Sequence, residues 1–201
     1  MKDMFRSAVL AGIFIGVAGF GFLISKPIGM FLFIFGLASV VSYKLKLFTG
    51  TAGFVNDWND MLSLFIILLG NIVGCFIIAS IARYSAMAEL LQATASNIVM
   101  GRIDLNCISC GLQAIGCGML MTTAVTFARK GPEFGNWIPL LFAVPMFIHC
   151  GFPHCIADAF YYLCMPATSV LWSWHLILVY ICTVIGNFIG CNLYRIFVDL
   201  K

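Results

Sequence analysis

The residues best equipped for chemistry crowd into one stretch, FIHCGFPHCIADAF, Phe147 to Phe160. It holds His149-Cys150, His154-Cys155 and Asp158, with Gly151 and Pro153 between the two pairs. An imidazole has an unperturbed pKa near about 6.5, so it trades protons close to neutral pH. Imidazole together with thiolate also suits a soft metal, and Cys107-Ile-Ser-Cys110 supplies two further thiols. On one continuous helix His149 and His154 would stand about 140° apart. That favours packing for His149 and does not bring both pairs to one point. The C-x-x-C lies at the start of an apolar span without thioredoxin-like context. Taken alone, His154 reads better as a buried histidine bonded to a carbonyl than as a functional group.

The surroundings of this stretch are apolar. The chain has 201 residues, of which 62% are hydrophobic and 9% charged, and its mean hydropathy is +1.05. A soluble domain carries about 25% charged residues, so this composition fits a polytopic membrane protein. The first apolar run begins at Ser7 and has no small-residue cleavage site after it, so no cleavable leader is expected. Cys75, Cys117, Cys182 and Cys191 sit inside apolar runs, where a reduced thiol acts as a small hydrophobe. A net charge of +3 is too small to imply nucleic acid.

A bilayer core takes roughly 17–25 apolar residues per helix. Six segments qualify: Ser7 to Ser25, Ile28 to about Phe48, Met61 to Ala82, Leu105 to Ala128, Trp137 to about Leu163, and Trp172 to Val198. Lys26-Pro27 ends the first, and Arg129-Lys130-Gly131-Pro132 ends the fourth. Trp137, Trp172 and Trp174 mark span ends as interfacial aromatics. Six spans put both termini on one side. Lys2, Arg6, Lys44, Lys46, Arg129, Lys130, Arg195 and Lys201 fall with them, against Lys26, Arg83 and Arg102 opposite. That asymmetry predicts cytoplasmic termini in a multi-pass protein of the cell inner (plasma) membrane.

The third and sixth spans share G-N-x-x-G-C: Gly70, Asn71, Gly74 and Cys75 return as Gly186, Asn187, Gly190 and Cys191. Glycines at this spacing let helices approach closely. The repeated asparagine and cysteine argue for more, an internal repeat of residues 1–100 and 101–201. Three spans separate the copies, which inverts the second half in the membrane plane, as in proteins that bind cargo near the midplane. Interruptions then fall in matching places, KLKLFTG (Lys44 to Gly50) and GFPHCIADAF (Gly151 to Phe160). Irregular backbone at membrane depth is tolerated where protein buries it or water lines it.

With these motifs the chain resembles the formate/nitrite transporter family. SAVLAGIFIGVAG (Ser7 to Gly19) is similar to that family's first span, LFTG (Leu47 to Gly50) to the loop breaking its second, and MFIHCGFPHCIADAF to its fifth-span motif. The resemblance implies an all-α, aquaporin-like membrane fold of six helices with broken second and fifth spans. It implies a homopentamer in the lipid bilayer with one pore per protomer. It implies passage of a small monovalent anion such as formate, nitrite or hydrosulfide, often with a proton, and neither an enzyme nor a cofactor. By the same resemblance His154 is the central pore histidine and Thr49 the threonine facing it. Leu47 and Phe48 form one constriction and Phe147 a second. Gln113 stands where a fourth-span asparagine is common.

Three positions depart from the family pattern: Lys46 replaces an acidic residue, Pro153 a glutamate and Asp158 an asparagine. Lys46 and Asp158 each precede a phenylalanine by two, which makes them counterparts and predicts an ion pair between them; otherwise both line the pore. Asn56 to Asp60 reads as a solvated turn. Ala86 to Asn97 reads as a short amphipathic connection, with Arg102 after it as a collector of anions, and His175 beside Trp174 as interfacial. Two alternatives stay open, a neutral-solute channel and an intramembrane soft-metal or redox protein. The chain lacks paired N-P-A motifs, which disfavours the first.

Overall fold

The computed structural model describes residues 1–131 and 133–197, and every regular element in them is helical. The expected helix stop at Pro132, the span end at Val198 and the charge of Lys201 lie outside the described residues.

Long apolar runs with good caps give uninterrupted helices. They are α1 (Lys2–Ile24), α5 (Trp58–Arg83), α7 (Cys107–Ala128) and α10 (Trp174–Asn192). Asp57, Asn106 and Ser173 cap the last three by accepting a first-turn backbone N–H. A short α11 (Tyr194–Phe197) extends α10. Among the described residues, four helices are long and apolar enough to cross a membrane: α1, α5, α7 and Trp174–Phe197.

The other two apolar segments are broken. The first comprises α2 (Lys26–Leu32), α3 (Ile34–Ser42), an extended stretch, α4 (Phe48–Thr51) and a 3-10 turn, Ala52–Phe54. Lys44 turns the chain there with φ +54°, a left-handed conformation costing roughly 1–2 kcal/mol for a residue with a Cβ. The second comprises α8 (Phe134–His149) and α9 (Cys155–Cys164). Gly151, at φ +69°, and Pro153, with no N–H to donate, stop the helix between them. His149 and His154 therefore lie on different helices, not on one as the sequence suggests. The amphipathic connection is also longer than expected. It forms α6 (Ala88–Asp104), which carries Arg102 in its last turn.

Packing concentrates in two helix pairs, α1 with α5 and α7 with α10. The repeated glycines make both pairs close. A Cβ on Gly74 would lie 2.1 Å from the Val9 carbonyl oxygen, and one on Gly190 2.1 Å from that of Ile115. Neither backbone can yield by a rotamer change, so only glycine fits.

The asparagines tie each pair to a chain break. Asn71 Oδ1 accepts from the Phe48 N–H (2.9 Å), and Nδ2 donates to the carbonyls of Ala8 (2.8 Å) and Lys46 (2.9 Å). Asn187 Oδ1 accepts from the Cys155 N–H (2.8 Å), and Nδ2 donates to Ala114 (2.8 Å) and Pro153 (3.0 Å). The cysteines match as well. Cys75 Sγ reaches the carbonyls of Gly12 and Ile156, and Cys191 Sγ those of Gly118 and Thr49. In this correspondence Lys46 takes the place of Pro153, and Leu47 that of His154. The pairing of Lys46 with Asp158 as counterparts, expected from the spacing to phenylalanine, is off in register. Those hydrogen bonds, not the phenylalanines, set the alignment.

Candidate functional site

Each break places one residue at the start of a short helix, and the two starts meet. Leu47 is the N-cap residue of α4 and His154 that of α9. Thr49 follows in the first turn of α4, and its Oγ1 stands 3.0 Å from His154 Nε2. Both side chains are buried. His154 Nδ1 accepts the Ala157 backbone N–H at 3.1 Å. A backbone N–H can only donate, so Nδ1 presents its lone pair and the ring proton sits on Nε2. Nε2–H then donates to Thr49 Oγ1. The threonine hydroxyl proton is left free for another acceptor.

Aromatic rings close one side of this junction. The Phe147 ring lies 5.4 Å from that of His154, tilted by 33°, with Phe33 edge-on behind it at 5.8 Å. Leu47, Phe48 and Phe147 are all nearly sealed from solvent. The imidazole and the threonine hydroxyl bring polar side-chain atoms to this apolar junction.

A vestibule opens on each side. One, of about 300 Å³, reaches His154, Phe147 and Ala157 and is bordered by Lys26, Arg102 and Asp158. The other, of about 650 Å³, is bordered by Lys44, Lys46, Arg129 and Gly50. Both have a net basic lining, the first through Lys26 because Asp158 offsets Arg102, the second through Lys44, Lys46 and Arg129, and two arginines also brace the breaks. Arg102 Nη1 donates to the Gly151 carbonyl at 2.7 Å, and Arg129 Nη2 to that of Gly50 at 3.0 Å.

This arrangement, a histidine–threonine pair in an apolar neck between two basic vestibules, agrees with a match to a family model described as formate/nitrite transporter, which spans residues 1–198. The chain belongs to the formate/nitrite transporter family. Among solved structures it is similar to a pentameric formate channel with formate bound, at 20% identity and a TM-score of 0.82, over 96% of this chain and 94% of that one. It is also similar to an FNT family ion channel, at 14% identity and a TM-score of 0.84, over 96% of this chain and 87% of that one. At these identities the likeness carries the fold. A search of curated protein sequences returns no match. Membership of this family and its apolar helices make the chain a multi-pass membrane protein of the channel and transporter class.

In this family member the structure gathers some of the sequence-selected residues and separates others. His154, Thr49 and Phe147 come together at the neck, and Leu47 and Phe48 are buried just before Thr49 in the chain. Gln113 is half-buried on α7 and is not among the residues lining either vestibule described above. Lys46 is exposed in one vestibule while Asp158 is buried against the other. They do not pair. The partner of Asp158 is Arg102, with Oδ2 3.3 Å from Nε. Arg102 is thus already engaged by a carboxylate rather than open to collect anions. Spacing hides this pair, because it joins residues 56 positions apart on separate helices. Lys26 and Arg129 also border the vestibules, although the sequence marks each only as a basic residue at a span end.

The His-Cys pairs do not assemble a metal site. His149 and Cys150 are exposed at the end of α8, whereas His154 and Cys155 are buried at the start of α9. Among the described residues no three His, Cys, Asp or Glu side chains cluster for a metal. His175 is exposed, with Nε2 3.2 Å from the Ile103 carbonyl.

Proposed function

We propose that this protein is a channel or transporter for a small monovalent anion of a weak acid, formate, nitrite or hydrosulfide, passed through the neck with a proton. The observation that carries the reading is the His154–Thr49 hydrogen bond, set at two helix breaks between basic vestibules. Lys26 at one mouth and Lys44, Lys46 and Arg129 at the other concentrate anions. The neck is apolar, and an ion entering it loses hydration that two donors cannot replace. The same desolvation raises the basicity of the anion. It therefore takes up a proton as it leaves the vestibule and passes Phe147 or Leu47 and Phe48 as the neutral acid. His154 Nε2–H and the Thr49 hydroxyl hold its oxygen or sulfur. Forming imidazolium at His154 would require Nδ1 to give up the Ala157 N–H. The geometry thus favours a proton that reaches the anion through vestibule water at His154, with the ring kept neutral.

The architecture belongs to the same proposal. Two inverted halves, 1–100 and 101–201, give six spans, the second and fifth broken. The matched hydrogen bonds of Asn71 and Asn187 support it. A homopentamer in the plasma membrane follows by likeness to the pentameric formate channel. Exposed apolar side chains such as Phe31, Phe65, Ile108 and Phe142 supply surface for lipid and for neighbouring protomers. The basic-residue asymmetry puts the termini, with the Lys44–Lys46–Arg129 vestibule, in the cytoplasm.

The test is uptake of formate, nitrite and hydrosulfide into proteoliposomes, with and without an inward proton gradient, for wild type and His154→Asn. Gradient-stimulated uptake of one anion, reduced in the variant because the Nε2–H that holds the acid is gone, is the expected result. Absence of flux for all three from folded wild-type protein would refute the reading and favour a neutral solute.

A further inference from the structure

The vestibule on the α6 side contains a carboxylate of its own. Asp158 lies one turn past His154 on α9, its N–H donating to the His154 carbonyl at 2.8 Å. The side chain is fully buried and borders the same cavity as His154. Oδ2 stands 3.3 Å from Arg102 Nε, and Oδ1 stands 3.4 Å from Nη2. These two nitrogens form the fork with which a guanidinium takes a planar two-oxygen anion side-on. Nη1 is turned away, toward the Gly151 carbonyl.

The fit is slack. Charge-assisted N–H···O bonds run about 2.7–2.9 Å, and both contacts here are longer. Arg102 Nε and Asp158 Oδ2 complete no hydrogen bond, although both atoms are buried. The other charged group bordering the cavity is Lys26, and His154 and Tyr161 complete its titratable lining.

We propose that Asp158 is a specificity-determining residue: it occupies Arg102 as a tethered competitor of the substrate anion. The proposal rests on the anion-passage reading given above. A carboxylate fixed beside its partner acts at an effective concentration of about millimolar or more. A free anion displaces it only at comparable concentration. Passage gains from this, because a site that binds firmly releases slowly. The competition is selective by shape. Formate and nitrite present two oxygens and need the whole fork, which Asp158 holds. Hydrosulfide presents one atom and needs only Lys26 or a single N–H. Asp158 therefore biases the vestibule against two-oxygen anions and leaves hydrosulfide little affected.

The experiment measures anion-induced thermal stabilisation of the purified full-length protein at constant ionic strength. Sodium formate and sodium hydrosulfide are compared in wild type, Asp158→Asn, and Asp158→Asn with Arg102→Gln. Half-maximal stabilisation by formate is expected at about tenfold lower concentration in Asp158→Asn, with little change for hydrosulfide. The gain is expected to vanish when Arg102→Gln is added. Equal formate dependence in wild type and Asp158→Asn would overturn the proposal. So would an equal gain for hydrosulfide, or a gain that survives Arg102→Gln. Should Asp158→Asn fail to fold, Asp158→Ser asks the same question with a smaller side chain. Wild-type flux is scored separately: no flux with the formate shift intact refutes anion passage and leaves the Arg102–Asp158 competition standing.

Discussion

Replacing Asn187 by leucine tests whether the break before His154 is held by one side chain. Asn187 is fully buried and supplies one acceptor and two donors. Leucine keeps nearly the same volume, so little cavity opens. The Ala114 carbonyl lies within α7, where the helix still offers it a partner. The Cys155 N–H and the Pro153 carbonyl lose theirs, in a place that water does not reach. Each such orphaned group costs about 1–3 kcal/mol, so the variant should lose about 2–6 kcal/mol. For a chain of this size 1 kcal/mol shifts Tm by roughly 2–4 °C, which gives a fall of about 4–24 °C. The assay is thermal unfolding in detergent, with size-exclusion elution before heating to confirm assembly. Asn71→Leu removes the matching three bonds and should lose a similar amount. An Asn187→Leu protein that melts within about 2 °C of wild type and keeps its flux would refute the reasoning. It would mean that the break is held by something other than Asn187.

Gly190→Ala should fail to assemble or melt far below wild type, because its Cβ meets the Ile115 carbonyl at 2.1 Å, whereas Gly101→Ala, with nothing within 4 Å, should melt as wild type does. Thr49→Val removes the hydroxyl facing His154 but keeps its shape, so flux should fall about tenfold or more, and the orphaned His154 Nε2–H should lower Tm by about 2–12 °C; stopped-flow uptake into proteoliposomes measures both anion and proton entry. Lys46→Gln should leave Tm within about 1–2 °C, since its side chain is exposed and the partner of Asp158 is Arg102, and exchanging Lys46 with Asp158 should not rescue folding; a large drop for Lys46→Gln in the same melting assay would contradict the assignment. If the neutral acid crosses the neck, uptake at fixed total formate should rise about tenfold for each pH unit of acidification outside, well above the acid's own pKa; a flat profile from a pH-step uptake series would exclude that species.

Composition and hydrophobic run length alone determined that this chain lives in a bilayer, because too few charges are present to cover a water-facing surface. Gly151 and Pro153 marked where the second broken segment stops, since their backbone limits act locally, whereas the first turns at Lys44. The Gly-Asn-x-x-Gly-Cys copies pointed to two matched helix pairs, and those pairs are the ones that pack most closely. His154 and Thr49 were legible as site residues through family resemblance, but their 3.0 Å contact across 105 positions was not derivable from spacing. The tautomer of His154 follows only from the Ala157 N–H that caps onto it. Tertiary structure also decided the partner of Asp158. Sequence offered Lys46, by a symmetry counted from phenylalanines. The folded chain brings α6 across the break and supplies Arg102 instead. A buried charge takes the cation that reaches it in space, and a helix laid over the vestibule decides that distance whatever the separation along the chain.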